Sequence, residues 1–354
     1  MKVAFIMLMP TVKIVGGYKV IYEYANYLSL NGYEVELIYS TMRGQNSRNV
    51  PKLVVHLVRK IIGLLGPSWF KLEKKVKRSV YKDFNSIKIK NTDVVVATAA
   101  LTASYVDSLS NINKLYFIQD YEDWDISENE LVATYQFPMK KIVISKWLFN
   151  EVSKYTNNSD IVYIPNGIDS NVFFVEKQLF KRENYTLSML YHNDVRKGCD
   201  VSERIMYRLK EKYPQLKVYM FGSPKRKDVW PEWVHYVRNA SPEDVRQQMN
   251  KSRVFLCTSR QEGFGLTGLE SMFCGCILIS TKCRGVLEYA NNDNSILCDV
   301  DNEDIIFNSV CKVFDDEKLQ RKLTNSREYI EKFNKNIAQK KFETSIKQFN
   351  ISLM

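Results

Sequence analysis

The run SRQEGFGLTGLESMFCGC, Ser259 to Cys276, sets two carboxylates, Glu262 and Glu270, just outside three glycines, Gly263, Gly265 and Gly268, spaced G-x-G-x-x-G. An ionised carboxylate only accepts hydrogen bonds, so a pair of them suits the paired hydroxyls of a ribose or a hexose. Glycine lets backbone N–H groups approach a ligand closely, and a helix N-terminus favours a diphosphate. Two chemistries share these parts: a pyrophosphate turn for NAD, or a site where two acids hold sugar hydroxyls. A dinucleotide turn puts its first glycine at the strand end and an acid at the tip of the next strand for the ribose. Here Arg260, Gln261 and Glu262 intervene, the next apolar run, CILIST, ends in Thr281 and Lys282, and the nearest acid downstream is Glu288. The spacing favours sugar hydroxyls over a dehydrogenase. The plain alternative is that Glu262 caps the helix and Glu270 is solvated surface.

The motif must stand between a strand, RVFLCTS, and a helix from about Leu266, and the whole chain repeats that rhythm. KVAFIML, YEVELIYS, TDVVVATAA, KLYFIQD, KIVIS and IVYIPNG read as buried strands. After Gly16 and Gly17, residues Ile21, Tyr24, Ala25 and Leu28 fall on one helical face, with Gly32 as the stop. The segment Ile168 to Asn184 reads as a linker, after which the alternation restarts: LSMLYHN, a helix over Cys199 to Tyr213, VYMFG, WVHYV, and a helix capped by Ser241-Pro242-Glu243-Asp244. CILIST and SILCDV complete a second α/β domain. The expected architecture is a doubly wound domain over 1–170, a second over 184–335, and a C-terminal helix over 336–354 able to pack back on the first.

A length of 354 residues fits two such domains, and 45% hydrophobic with 26% charged residues is globular composition. The seven cysteines all lie in the second half, an odd number within apolar runs, which reads as buried thiols in a reducing compartment. With three histidines and a lone C-x-C at Cys274 and Cys276, zinc has little to bind. The opening MKVAFIMLMP reads as a first strand rather than a signal peptide, and no window of 18 apolar residues occurs. The net charge of +11 is local: residues 51–90 hold eleven Lys or Arg against two acids. Leu53, Leu57, Ile61, Leu64 and other apolar residues are interleaved there at helical spacing. Such a segment suits an anionic membrane surface, or else a helical crossover whose apolar face packs on its own sheet. No recognised nucleic-acid motif accompanies the charge, so nucleic acid is not the expected partner.

The quoted run resembles the Glu, seven residues, Glu motif of the retaining GT-B glycosyltransferases of family four, with EGFGL intact. Gly16–Gly17, the IPNGID segment (Ile164 to Asp169) and Arg196-Lys197-Gly198 are similar to other pieces of that family. The resemblance implies two Rossmann-like domains facing a central cleft and transfer of a hexosyl or deoxyhexosyl group from a nucleotide-diphosphate sugar, with no metal or other cofactor. It implies that Glu262 contacts the donor sugar, Glu270 the ribose, and backbone at Phe264, Gly265, Leu266 and Thr267 the sugar and diphosphate. Lys197 would neutralise the departing diphosphate, with Arg196 assisting, and Gly16 and Gly17 would approach the phosphates from the first domain. The base would be read by main chain around Tyr236 to Arg238. The acceptor would be a hydroxyl of a bacterial surface glycan or a lipid-linked intermediate, which places the enzyme in the cytoplasm at the inner face of the membrane. The sequence departs from the family pattern at His192, where an arginine is common, and at Thr267 and Cys276, which replace prolines. Gln119 and Asp120 stand where many relatives place an acceptor-side histidine, and YFIQDYEDWD resembles a subgroup that makes rhamnose-containing surface glycans. Two readings remain beside this one: a metal-dependent transferase using Asp123-Trp124-Asp125 as its D-x-D, a pattern repeated at Asp299-Val300-Asp301, and a non-catalytic nucleotide-sugar-binding protein.

Overall fold

The computed structural model describes residues 1–41, 52–124, 126–324 and 328–351. Pro51 of the basic segment, Asp125 of the first D-x-D and residues 352–354 of the C-terminal segment lie outside the described residues. The chain divides into two compact units, Met1–Pro165 together with the chain from Gln339 on, and Asn166–Ala338.

The first unit is built on strands β1 (Lys2–Met7), β2 (Glu34–Ser40), β3 (Lys77–Tyr81), β4 (Val94–Ala97), β5 (Asn113–Ile118), β6 (Lys140–Val143) and β7 (Ile161–Tyr163). They pair in parallel in the order β3-β2-β1-β4-β5-β6-β7. Val3–Ile6, Val94–Ala97 and Leu115–Phe117 are almost wholly buried, the continuous apolar runs of strands covered on both faces. Helices α1 (Gly16–Leu30), α2 (Lys52–Leu65), α3 (Ala100–Asp107), α4 (Glu128–Gln136) and α5 (Lys146–Val152) make the crossovers. Ile21, Tyr24, Ala25 and Leu28 of α1 are buried, and Gly32 ends the turn after it at φ +87°.

The second unit repeats the plan with β8 (Thr186–Tyr191), β9 (Lys217–Gly222), β10 (Val234–Arg238), β11 (Val254–Cys257), β12 (Ile277–Thr281) and β13 (Ser295–Cys298), ordered β10-β9-β8-β11-β12-β13 and parallel throughout. Its helices are α6 (Cys199–Lys212), α7 (Pro242–Lys251), α8 (Leu266–Phe273), α9 (Glu303–Asp315), α10 (Glu317–Thr324) and α11 (Glu328–Glu331). Ser241 and Asp244 form the reciprocal cap of α7, with Asp244 N donating to Ser241 Oγ and Ser241 N to Asp244 Oδ2. All seven cysteines are free and buried.

Two readings of the sequence are corrected. The basic segment is not one crossover helix: after α2 it carries β3, an edge strand headed by Lys77 and Arg78. Charged side chains blunt an exposed edge, and they also hide a strand's period. The segment Ile168 to Asn184 is not a linker but part of the second unit. Buried Arg182 donates to the carbonyls of Lys177, Met249, Ser252 and Cys274, which ties the stretch to the sheet's crossovers. Asn250 Oδ1 accepts from Glu176 N and Lys177 N.

The C-terminal helix α12 (Lys335–Ile351) docks on the first unit from Gln339 on. The Phe342 ring lies 4.2 Å from Tyr24, 5.8 Å from Phe117 and 6.2 Å from Phe5, fully buried, while Tyr27 and Tyr33 donate to Glu343. Phe342→Ala should lower the unfolding free energy by about 3–5 kcal/mol, read as a lower urea midpoint at unchanged m-value. An unchanged midpoint would mean the helix contributes nothing to that core.

Candidate functional site

In the second sheet the strand order reverses between β8 and β11, and loops leaving such a point line the crevice where open α/β sheets bind ligands. Asp194 starts the β8 loop as a cap: its Oδ1 accepts from Arg196 N at 2.9 Å, opening a 3₁₀ turn over Val195–Lys197. That turn ends at Gly198 with φ +59°, where a Cβ would lie 1.9 Å from Thr258 O. Only glycine fits, and Thr258 Oγ1 returns a hydrogen bond to Gly198 O at 2.8 Å. From the β11 loop, Arg260 N and Gln261 N both donate to Arg196 O. The Arg260 guanidinium bonds Asp200, Asp301 and Val195 O, so the two loops are stapled into one piece.

The staple brings Lys197 onto Glu262, with Nζ 2.8 Å from each carboxylate oxygen. Ser259 Oγ donates to Glu262 Oε1 at 2.8 Å. The Glu262 side chain is 9% exposed and that of Lys197 27%, so the acid is inside and the ammonium stands at the mouth. Lys197, Thr258, Ser259 and Thr267 line a small recess beside the pair. Glu262 is not the cap of α8: that position belongs to Gly265, without a side-chain bond. Glu270, one turn into α8, is only 5% exposed, so it is not solvated surface. Both acids belong to the interior of the loop, and the plain alternative for them does not hold.

The glycine spacing acquires a second cause. Tyr289, fully buried, donates its hydroxyl to Gly265 O at 2.6 Å. A Cβ at Gly268 would lie 2.4 Å from the Tyr289 hydroxyl oxygen, and Gly265 itself has φ +84°. Two of the three glycines therefore serve a tyrosine wedged under the turn, and Gly265 also starts α8, whose first N–H groups have no helical acceptor. Phe264 packs down on Tyr289 and Phe333, which fixes the turn from below.

Arg196 is held by Asp194, Nε and Nη2 contacting its carboxylate at 2.7–3.2 Å, and this pairing holds the Asp194 carboxyl below its usual range. His192 accepts Asp194 N–H on Nδ1 at 3.0 Å, which leaves Nε2 to carry the proton of the neutral ring. Half-burial, and then the positive charge of Lys197, push its pKa below the ordinary 6.5. Tyr236 and Arg238 lie on the edge strand β10, where Tyr236 donates to Pro224 O and Arg238 to Ser223 O. In the first unit Gly16 and Gly17 open α1; a Cβ at Gly17 would lie 3.3 Å from Gln119 Nε2, and one at Gly16 would meet open space. Gln119 Oε1 is buried with no partner among the described residues, while Asp120 Oδ1 accepts from Tyr121 N. Among the described residues no group of three His, Cys, Asp or Glu gathers to hold a metal ion. Asp299 and Asp301 pair with Lys282 and Arg260.

The sequence alone assigns no role to Thr258, Ser259, Arg260 or Tyr289, and it marks Gly198 only as part of Arg196-Lys197-Gly198. Ser259 and Arg260 stand inside the quoted run, where an interest in carboxylates passes over them. Tyr289 is 24 residues from the carbonyl that it holds, and no spacing announces it.

Residues 173–329, within the second unit, match the family model described as glycosyl transferases group 1. Over 161 residues the chain is 30% identical to a component of human phosphatidylinositol N-acetylglucosaminyltransferase, a match covering 42% of this chain and 33% of that protein. The chain thus spans about a third of that relative's length. It is 25% identical over 307 residues to an uncharacterised glycosyltransferase of Haemophilus influenzae, covering 81% of this chain and 83% of that one. The Anabaena protein HepE, solved with UDP-glucose, superposes with a TM-score of 0.73 at 13% identity over 98% of this chain and 99% of its own. Two Rossmann-like α/β units with this likeness define the fold as GT-B.

The arrangement around His192 predicts its titration. With three histidines in the chain, ¹⁵N-edited NMR should assign to His192 a pKa below 6.5 and an Nε2-protonated neutral ring. Titration above 6.5, or an Nδ1-protonated ring, would contradict the Asp194 contact.

Proposed function

We propose that this chain is a glycosyltransferase that moves a hexosyl or deoxyhexosyl group from a nucleoside-diphosphate sugar to a hydroxyl acceptor, with retention and without a metal. The observation that carries the reading is the Lys197–Glu262 pair on two stapled loops at the reversal point of the second sheet. Breaking the bond between the anomeric carbon and the phosphate oxygen leaves negative charge on the diphosphate and positive charge on the sugar. A cation and an anion already in contact meet both demands when the donor parts them. Lys197 turns to the phosphate and Glu262 faces the anomeric carbon, each opposite the charge that develops. The first N–H groups of α8 point at the same diphosphate, with Phe264 to Thr267 following its length, and Glu270 accepts from the ribose hydroxyls.

In this account the acceptor hydroxyl enters from the leaving-group side. Its oxygen bonds the anomeric carbon as the phosphate departs, and its proton passes to a phosphate oxygen. No side-chain base is required, which suits a site whose neutral His192 is a donor at Nε2 and whose Arg196 is held by Asp194. Gly16 and Gly17 are assigned to the donor phosphates, and Gln119, with its buried unpartnered oxygen, together with Asp120 to the acceptor. The human relative's name places its own sugar on phosphatidylinositol, and HepE was solved with UDP-glucose. Both favour a nucleotide sugar as donor and a lipid-linked or surface-glycan hydroxyl as acceptor, met at the cytoplasmic face of a membrane. No helix among the described residues is long and apolar enough to cross one.

Donor hydrolysis tests the reading without knowledge of the acceptor. Among nucleotide sugars screened by thermal shift, one should stabilise the protein equally with and without EDTA. With that donor, Lys197→Ala and Glu262→Ala should each lower the hydrolysis rate about 10²–10³-fold. Wild-type rates in both variants would remove the assignment, and a loss with EDTA restored by Mg²⁺ or Mn²⁺ would overturn metal independence.

A further inference from the structure

Helix α2 is mounted with its polar side inward. His56 Nδ1 lies 2.6 Å from Thr41 Oγ1, Arg59 donates to Thr41 O, and Leu65 O accepts from Arg78. Gly63 packs so closely that a Cβ would come 2.6 Å from Val80 and 2.9 Å from Pro10. The opposite side carries a row that includes Leu53, Leu57, Val58, Ile61, Leu64 and Leu65, each at least 45% exposed. At 3.6 residues per turn these six span roughly 140° of the helix circumference. An ordinary surface helix does the reverse, burying its aliphatic stripe and wetting its polar one. A contiguous apolar row left outside marks an interaction face.

The charge around the row selects its occupant. Lys60 borders it on the helix, exposed Lys71, Lys74 and Lys75 follow in the connection to β3, and Glu73 is the one acid in the sequence between Lys52 and Lys82. A second copy of the chain docked here would set like charges against one another, whereas an anionic bilayer neutralises them while taking the aliphatic side chains into its headgroup–acyl boundary. We infer that α2, with the adjoining loop where Val12, Ile14 and Val15 are exposed, is a docking face for an anionic lipid bilayer. The face rests on the transfer reading only in one consequence. Pro10, against Gly63, begins the loop that leads to Gly16–Gly17, so an acceptor reaching that loop is an amphiphile presented from the lipid surface.

The test is co-sedimentation of the intact chain with vesicles of phosphatidylcholine alone and of phosphatidylcholine with phosphatidylglycerol, at low and high salt. Binding is expected on the anionic vesicles, weakened by salt. Leu57→Glu with Ile61→Glu should lower that partitioning at least about tenfold, since even one aliphatic side chain withdrawn from apolar surroundings is worth that much. Melting temperature and hydrolysis of the donor in free solution should not change. Negligible binding to anionic vesicles, or binding that the double variant leaves intact, would overturn the inference. So would a melting point lowered by several degrees, which would mean the chain itself covers the face, or a dimer that the variant dissolves. Retained donor hydrolysis without vesicle binding defeats the docking face alone, and vesicle binding without hydrolysis defeats the transfer reading alone.

Discussion

A carboxylate shut inside a protein needs a cation and donors to offset its lost hydration, and the second unit is arranged around one such requirement. Glu262 is shielded from solvent, and Lys197 meets both of its oxygens while Ser259 supplies a hydroxyl. Burying two charges costs several kcal/mol each before their attraction is counted, and a hydrophobic pair of the same size is often no less stable. The pair is therefore a poor device for stability and a good one for function. Under the proposed function, what parts the two residues is a glycosyl diphosphate, which supplies an anion to the lysine and a positive centre to the acid.

The surrounding construction serves that pair. Gly198 lets the β8 loop touch Thr258, Arg260 bridges to Asp200 and Asp301, and Tyr289 supports the turn from beneath through Gly265 O. Each contact crosses from one loop or element to another, so the ion pair is positioned by the sheet and not by its own flexible side chains. His192 takes part in the same way. Its Nδ1 is occupied by the Asp194 N–H, so its neutral ring presents an N–H donor at Nε2. The cationic half of the site then rests on Lys197, because Arg196 is engaged with Asp194.

Much of this was legible in the sequence, for definite reasons. Buried parallel strands are continuous apolar runs, and the cap at Ser241 and the stop at Gly32 are local signals, so both doubly wound units can be read from the residues alone. The motif around Glu262 and Glu270 drew attention for its carboxylates, and both acids are indeed inside. Other features depend on distant partners. The edge strand β3 has no apolar run, because it opens on Lys77 and Arg78 and none of its five residues is fully buried. The Ile168 to Asn184 stretch has no period, because Arg182 holds it through carbonyls at the ends of α7 and α8. Gly268 completes the G-x-G-x-x-G spacing and proves to make room for Tyr289. The amphipathic pattern of α2 was visible, but which face looks outward is decided by Thr41, Val80 and Pro10.

The decisive measurement is a crystal structure of the protein with an intact, non-hydrolysable nucleoside-diphosphate sugar. The account predicts that Lys197 Nζ leaves Glu262 for a phosphate oxygen, that the Glu262 carboxylate faces the anomeric carbon, and that Glu270 accepts from the ribose. A donor bound anywhere else, or bound at this turn with the Lys197–Glu262 contact undisturbed, would contradict it.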